Sequence, residues 1–489
     1  MAARMTAILL GFVTRMVFTR TLSESYVGIN GLFTDILNVL SLSELGVGTA
    51  ITYVLYRPIA KGDIETQKSL MHLFCRIYRM VALTVAVLGL LLVPFLRFLV
   101  HDADDISHLT AIYLLYLLNS VLSYLLVYKR TLIDAHQKSY VGVLCQTFFL
   151  ILQDFLQILV LIFTRNFYLF LLIYLFCTLG NNLWIANKAD QMYPFLREKK
   201  VRPISQKEKK EIIKNIRAMM MHKIGGVLVN NTDNLLLSVM VGIVSVGKYS
   251  NYYLIIGSVR QVLNQAFQGI TASVGNLGVT ERKERVRKIF ESSFFVGQWL
   301  YGFAAVCLFE LLNPFVAISF GSNYVFPEAV VLVLCANFYV TGMRQASLVF
   351  RDSLGLFWYD RYKSLLEAAV NLVVSIVLTL RFGIIGVFLG TYVSTMTTSF
   401  WIEPLVLYRK RLEAPVGSYF IRYGIYSGVF LVTGFVTDAI CRCMMGAAWK
   451  VFLLRLPVCL VVPNLIFFAV YGRTEEFRFL RNKIRNLGH

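Results

Sequence analysis

The feature that most constrains this chain is a succession of apolar runs, each about as long as a bilayer is thick, recurring from one end to the other. A hydrocarbon core about 30 Å thick takes roughly 20 helical residues to cross, and within it every backbone N–H and C=O must find its partner internally. Such runs therefore fold as helices. They fall at 3–20, 30–53, 80–100, 109–127, 140–163 and 167–186, and again at 223–243, 249–274, 289–320, 329–350, 365–380, 384–408, 420–438 and 451–471. Fourteen spans use most of the 489 residues, of which 57% are hydrophobic and only 16% charged. The expected fold is an all-α integral membrane protein with no separate soluble domain.

The most polar stretch, containing REKKVRPISQKEKKEIIKNIR, separates the sixth run from the seventh and is too charged to enter a bilayer. It divides the chain into an N-terminal lobe of six helices at 1–187, a basic linker at 188–222 and a C-terminal lobe of six helices at 223–411. Two additional helices and a basic tail occupy 412–489. The segments SYVGINGLFTDILNVL and KYSNYYLIIGSVRQVL, one in each half, share an early tyrosine and a long, partly polar span. They suggest a duplicated unit, with two pseudo-symmetric lobes around a central cavity.

The formal net charge of +20 resides in the connections. Every even-numbered connection is basic: Arg57, Lys61 and Lys68 after span two, Lys129, Arg130 and Lys138 after span four, Arg282 to Lys288 after span eight, Arg409 to Arg411 after span twelve. Odd-numbered connections are short and poor in Lys and Arg, so the positive-inside rule places both termini and the linker in the cytoplasm. The basic loops are expected to touch anionic lipid head groups, and no nucleic-acid partner is implied. The first run should remain as a span, because no basic leader with a small-residue cleavage site precedes it.

Phosphate loops and dinucleotide fingerprints are absent, and none of the six histidines is paired at helical spacing, so neither cofactor nor metal is expected. The eight cysteines lie mostly inside apolar runs and read as packing residues. Asp102 and Asp104 have the D-x-D spacing of some sugar transferases, but in a loop of about eight residues they read as a solvated turn. Gly386 and Gly390, four residues apart, read as a close helix contact.

Chemistry then falls to polar residues inside the spans, where a charge at the helix centre costs at least about 2.5–3.5 kcal/mol unless it faces protein or water. Arg260, Gln261, Asn264, Gln265 and Gln268 recur at three- and four-residue spacing and share one face of span eight. Arg260 lies near mid-depth; it either pairs with a neighbouring acid to fix packing or holds an anion. Arg15 on span one and Arg344 on span ten pose the same choice, whereas Arg20 and Arg351 sit where side chains snorkel. Arginine suits a diphosphate because its planar fork stays charged when desolvated and bonds in bidentate fashion. Asp35, Glu44, Asp154 and Asp233 are coupling sites, counter-ions or hydrogen-bonding glue, with Glu310, Glu367 and Glu403 in the same class.

The stretch SYVGINGLFTDILNVLSLSELGVGTAITYVLYRPIA resembles the second span and following loop of bacterial oligosaccharide flippases, the Wzx-like polysaccharide transport family. NNTDNLLLSVMVGIVSVGKYSNY is similar to that family's seventh span, and FGIIGVFLGTYVST to its twelfth. The resemblance runs through nearly the whole chain. It implies two lobes that alternate between inward-open and outward-open forms and carry an undecaprenyl-diphosphate-linked oligosaccharide across the plasma membrane, without covalent chemistry. It also implies cationic cavity positions at Arg15 and Arg260, while Arg344 comes from the stripe alone. Relatives have a longer lead before span one, which implies a truncated start. The expected assembly is a monomer in the bacterial inner membrane, working alongside other polysaccharide-assembly proteins. Two alternatives stay open: a cation-coupled multidrug exporter of the same fold, whose cavity would be rich in acids and aromatics, and a membrane polymerase or transferase, which would need a large outer loop.

Overall fold

The computed structural model describes residues 2–40, 61–100, 108–198, 232–280, 283–354 and 362–479, with positions 55, 58, 59, 356, 359, 360 and 481, and only the backbone at 2–5, 7, 8, 266 and 268–280. Glu44, the Asp102/Asp104 turn and most of the basic linker lie outside the described residues, as does the side chain of Gln268. All regular elements among the described residues are helical. Nine of the described helical stretches are long and apolar enough to cross a membrane. The second and seventh of the fourteen runs lie partly outside the described residues. This is a multi-pass, all-α membrane protein.

The chain forms two compact units, 1–247 and 248–489. The first contains α1 (Ala2–Thr21), α2 (Glu24–Leu40), α3 (Ile64–Leu92), α4 (Leu109–Tyr124), α5 (Val127–Ala135), α6 (Ser139–Thr164) and α7 (Phe167–Met192). Helix starts follow local chemistry. Asp63 accepts from Thr66 N at 3.0 Å and caps α3, while Asn166 accepts from Tyr168 N at 2.8 Å and caps α7. Arg165, at φ 51°, makes the tight reversal between α6 and α7.

The described part of the seventh run, from 232 on, groups with this first unit, although the sequence places the run at the start of the second lobe. Asn234 donates to Asp35, Ser238 donates to the Leu99 carbonyl, and Gly28 allows the Ile243 backbone so close that a Cβ would lie 2.1 Å from its oxygen. Between helices in lipid there is little hydrophobic driving force, so such small-residue contacts and polar bonds do the joining.

A long helix, α8 (Ile243–Thr280), begins in the first unit and leads into the second. There follow α9 (Lys283–Ser319), α10 (Glu328–Met343), α11 (Gln345–Ser353), α12 (Lys363–Phe382), α13 (Ile384–Thr397), α14 (Ser399–Leu407), α15 (Gly417–Arg442) and α16 (Ala448–Tyr471). Of the spans that read as continuous in the sequence, the tenth runs on from α10 into α11 through Arg344, which keeps helical dihedrals (φ −73°, ψ −18°), whereas the twelfth is interrupted at Thr398, whose φ of −117° and ψ of −82° leave the helical region.

The expected glycine contact is present. Gly386 lies against the backbone of α12, where a Cβ would meet the Leu378 carbonyl carbon at 2.3 Å, and at Gly390 a Cβ would meet Ser375 Cα at 2.5 Å. Gly383, at φ 58° and ψ −136°, makes the reversal that lets α12 and α13 pack so closely. Substituting Gly390 by Val should cost at least about 1–3 kcal/mol through overpacking. Thermal unfolding in detergent should drop for Gly390→Val and stay unchanged for Gly428→Val, whose glycine has open space around it; equal behaviour of the two would remove the contact's importance.

Candidate functional site

The residues read as a stripe on span eight lie on α8, and the structure separates their roles. Arg260 is half-buried, and its Nε is enclosed with no hydrogen-bond partner among the described residues. One turn further on, Asn264 accepts a hydrogen bond from the Tyr301 hydroxyl of α9. Tyr301 is fully buried, held by Phe338 at 5.5 Å between ring centroids and by Gly342, where a Cβ would come within 2.1 Å of the ring. Gln261 and Gln265 are exposed. Tyr301 is the residue that sequence reasoning missed, because a tyrosine in an apolar run looks like ordinary packing.

Arg260 differs from four other arginines of its unit in having no carboxylate partner among the described residues, although Arg455 shares with it an enclosed Nε. Arg344, Arg351, Arg422 and Arg455 lie against Glu403, Asp360, Glu476 and Glu310 at 2.7, 2.7, 2.6 and 2.9 Å. For Arg260 no carboxylate lies within ion-pair distance among the described residues. A desolvated guanidinium edge without an acceptor is costly, so it marks a place where an anion would be stabilised.

Arg344, placed with the substrate residues by its position on span ten, has its fork filled by acids. Its Nη2 and Nε reach the two oxygens of Glu403 at 2.7 and 3.1 Å, and Nη1 reaches Glu367 at 3.3 Å. Glu403 also accepts from Lys363, and Glu367 accepts from Thr395 at 3.0 Å and Ser399 at 2.6 Å. Lys363 continues to Asp360 at 3.4 Å, and Asp360 to Arg351. Three cations and three acids thus close a network at the level where α10 gives way to α11 and α13 to α14. Sequence reading found Glu367 and Glu403 but not Asp360, and could not match the acids to the cations.

In the first unit, Arg15 is half-buried on α1, with its guanidinium carbon 5.8 Å from the Phe18 ring centroid. Asp154 is buried on α6 facing α1, where a Cβ on Gly11 would meet its Oδ2 at 3.8 Å. Asp35 accepts from Asn234, and Asp233 is buried beside it in sequence. No group of three or more His, Cys, Asp or Glu side chains that could hold a metal occurs among the described residues.

Residues 1–272 match a family described as "Polysaccharide biosynthesis protein". The chain belongs to this family. The matched part includes Arg15, Asp35, Asp154, Asp233 and the α8 stripe, and Arg344 lies beyond it. No curated protein matches in sequence. Among solved structures, the chain is similar to the lipid II flippase MurJ in an inward closed conformation, with 13% identity, a TM-score of 0.67, and coverage of 96% of this chain and 98% of that one. An inward-facing MATE-family multidrug transporter of the MOP superfamily gives 12% identity, a TM-score of 0.63, and coverage of 83% and 96%. A variant of the Vibrio cholerae MATE transporter VcmN gives 14% identity, a TM-score of 0.52, and coverage of 85% and 99%. These likenesses establish for this family member the all-α fold that such transporters share.

The network around Glu403 should respond to mutation as a buried charge cluster. Removing one partner leaves an uncompensated charge, a loss of roughly 3–5 kcal/mol, whereas removing both restores neutrality. Glu403→Met should therefore unfold at a lower temperature than the double variant Arg344→Met/Glu403→Met. Additive losses in that double-mutant cycle would show that the two side chains are not coupled.

Proposed function

We propose that this chain is a flippase that moves a polyprenyl-diphosphate-linked oligosaccharide across the plasma membrane by alternating access. The observation that carries the reading is the Arg260 guanidinium, enclosed at one edge and lacking a carboxylate among the described residues, next to the Asn264–Tyr301 pair. A diphosphate supplies the missing acceptors, and amide and hydroxyl groups beside it suit the first sugar. Gln261 and Gln265 extend that surface, and Arg15 on α1 is a further proposed substrate residue within the first unit. Arg344 can serve only where its pairing with Glu403 opens. The polyprenyl tail stays in lipid, so only the polar head needs a path. Membership of a polysaccharide biosynthesis family and a fold shared with a lipid flippase support this reading.

Charge and fork geometry make different demands on Arg260. Arg260→Gln should lower glycan export at least about tenfold, the scale of one lost charge-assisted hydrogen-bonding pair. Partial rescue by Arg260→Lys indicates charge, and loss in both indicates bidentate recognition. Export is measured together with membrane abundance, and full export by Arg260→Gln at normal abundance would refute the assignment. The acids Asp35 and Asp154, for which no basic partner lies within ion-pair distance among the described residues, favour a second reading as a cation-coupled drug exporter. In that case glycan export would survive deletion of the chain, while resistance to cationic drugs would fall.

The proposed orientation has both termini and the basic linker in the cytoplasm. Cys443, exposed after α15, then faces outward. An impermeant thiol reagent on intact cells should label the native chain at Cys443, lose that signal in Cys443→Ser, and not regain it when Lys207→Cys is added. Labelling at 207 would invert the layout.

A further inference from the structure

The first unit contains a cavity of about 310 Å³ that the charged residues discussed so far do not line. Its walls come from the end of α4 and from facing stripes of α6 and α7. On α6, Gln146, Phe149 and Gln153 recur at three- and four-residue spacing, and on α7 so do Tyr174, Thr178, Asn181 and Asn182. The lining contains no Asp, Glu, Lys, Arg or His. Gln146 lies about two turns into α6, roughly 10 Å along its axis, so these amides sit within a span rather than at its end.

Some of the polar capacity there is already used. Asn182 donates to the Leu122 and Ser123 carbonyls at 3.4 and 3.3 Å, holding the end of α4. Asn181 Oδ1 accepts from Cys145 Sγ at 3.3 Å, and Gln146 Oε1 accepts from Arg130 at 3.1 Å. Both contacts leave the amide NH₂ group with no partner among the described residues, and they fix which end of each amide points onward. Gln153 donates to Gln157 at 3.4 Å, which leaves its carbonyl as an acceptor. The cavity therefore offers donors and acceptors that are oriented but neutral, beside the Phe149 and Tyr174 rings.

No lining residue carries a charge to balance a charged ligand, Arg130 reaching the edge only through Gln146, and a purely apolar ligand would leave the amides unmet. A neutral, hydroxyl-rich ligand with an apolar ring face satisfies both conditions, and the volume falls at the low end of the roughly 300–1,000 Å³ usual for small-molecule sites. We propose that this cavity binds uncharged sugar residues of the transported glycan, giving the first unit a specificity site distinct in chemistry from the cationic residue of the second. The proposal rests on the flippase reading above.

The test uses the full chain in nanodiscs and two probes: undecaprenyl diphosphate alone, and the same carrier bearing a neutral oligosaccharide extracted from cells that express the protein. The native chain should bind the glycan-bearing probe more tightly. Gln146→Leu and Asn181→Leu should each reduce that preference about tenfold and leave affinity for the bare carrier unchanged. Arg260→Gln should weaken both probes alike and preserve their ratio. Should a leucine variant unfold early, the near-isosteric Thr178→Val carries the comparison. A preference within twofold of the native value in variants of normal unfolding temperature overturns the sugar site while the flippase reading stands, as does absence of any preference in the native chain. Binding of neither probe by the native chain overturns both.

Discussion

A charge inside hydrocarbon has no solvent to fall back on, and the second unit of this protein is arranged around that fact. Arg344, Lys363 and Arg351 are matched by Glu403, Glu367 and Asp360, and hydroxyls of Thr395 and Ser399 complete the acceptors of Glu367. Each member would be too costly alone. Together the charged side chains supply one another with the polar neighbourhood that each needs. Against such thorough pairing, the enclosed edge of Arg260 becomes informative.

How much of this was readable from the sequence depends on the range of the interaction. The spans follow from length and hydropathy, which are local, and the contact at Gly386 and Gly390 follows from a four-residue spacing. The α8 stripe is equally local, so Arg260 and Asn264 fall together as their spacing requires. The interruption at Thr398 was not readable, because the position is neither Pro nor Gly. The partition of charges was hidden as well: Arg344 looks like an anion site until Glu403, 59 residues away, is seen in its fork. Tyr301 escaped notice because its hydroxyl acquires a role only when α9 meets α8.

The two units handle buried polarity differently. The second is ionic, with paired acids and bases and, on α8, the enclosed edge of Arg260, which has no carboxylate within ion-pair distance among the described residues. The first relies more on amides, hydroxyls and aromatic rings, with Tyr116 bonded to Asn30 at 2.5 Å, Tyr113 to the Gly89 carbonyl at 3.0 Å, and Gln157 to the Phe170 carbonyl at 3.2 Å. Neutral bonds of this kind hold helices together at modest gain per bond but tolerate rearrangement without stranding a charge. The family match covers the first unit and the α8 stripe, so the neutral chemistry and Arg260 fall within the matched region, while the ionic network at 344–403 lies beyond it.

The ion network carries a mechanical consequence. Because Glu403 in the middle of α14 grips Arg344 at the head of α11, and reaches Lys363 at the start of α12, the three helices form one riveted joint rather than three hinges at those points. Bending one of them alone would uncover unbalanced charge in a medium of low polarity. Any flexing of this unit must then carry those points along as a block, and the soft points lie on either side of the joint.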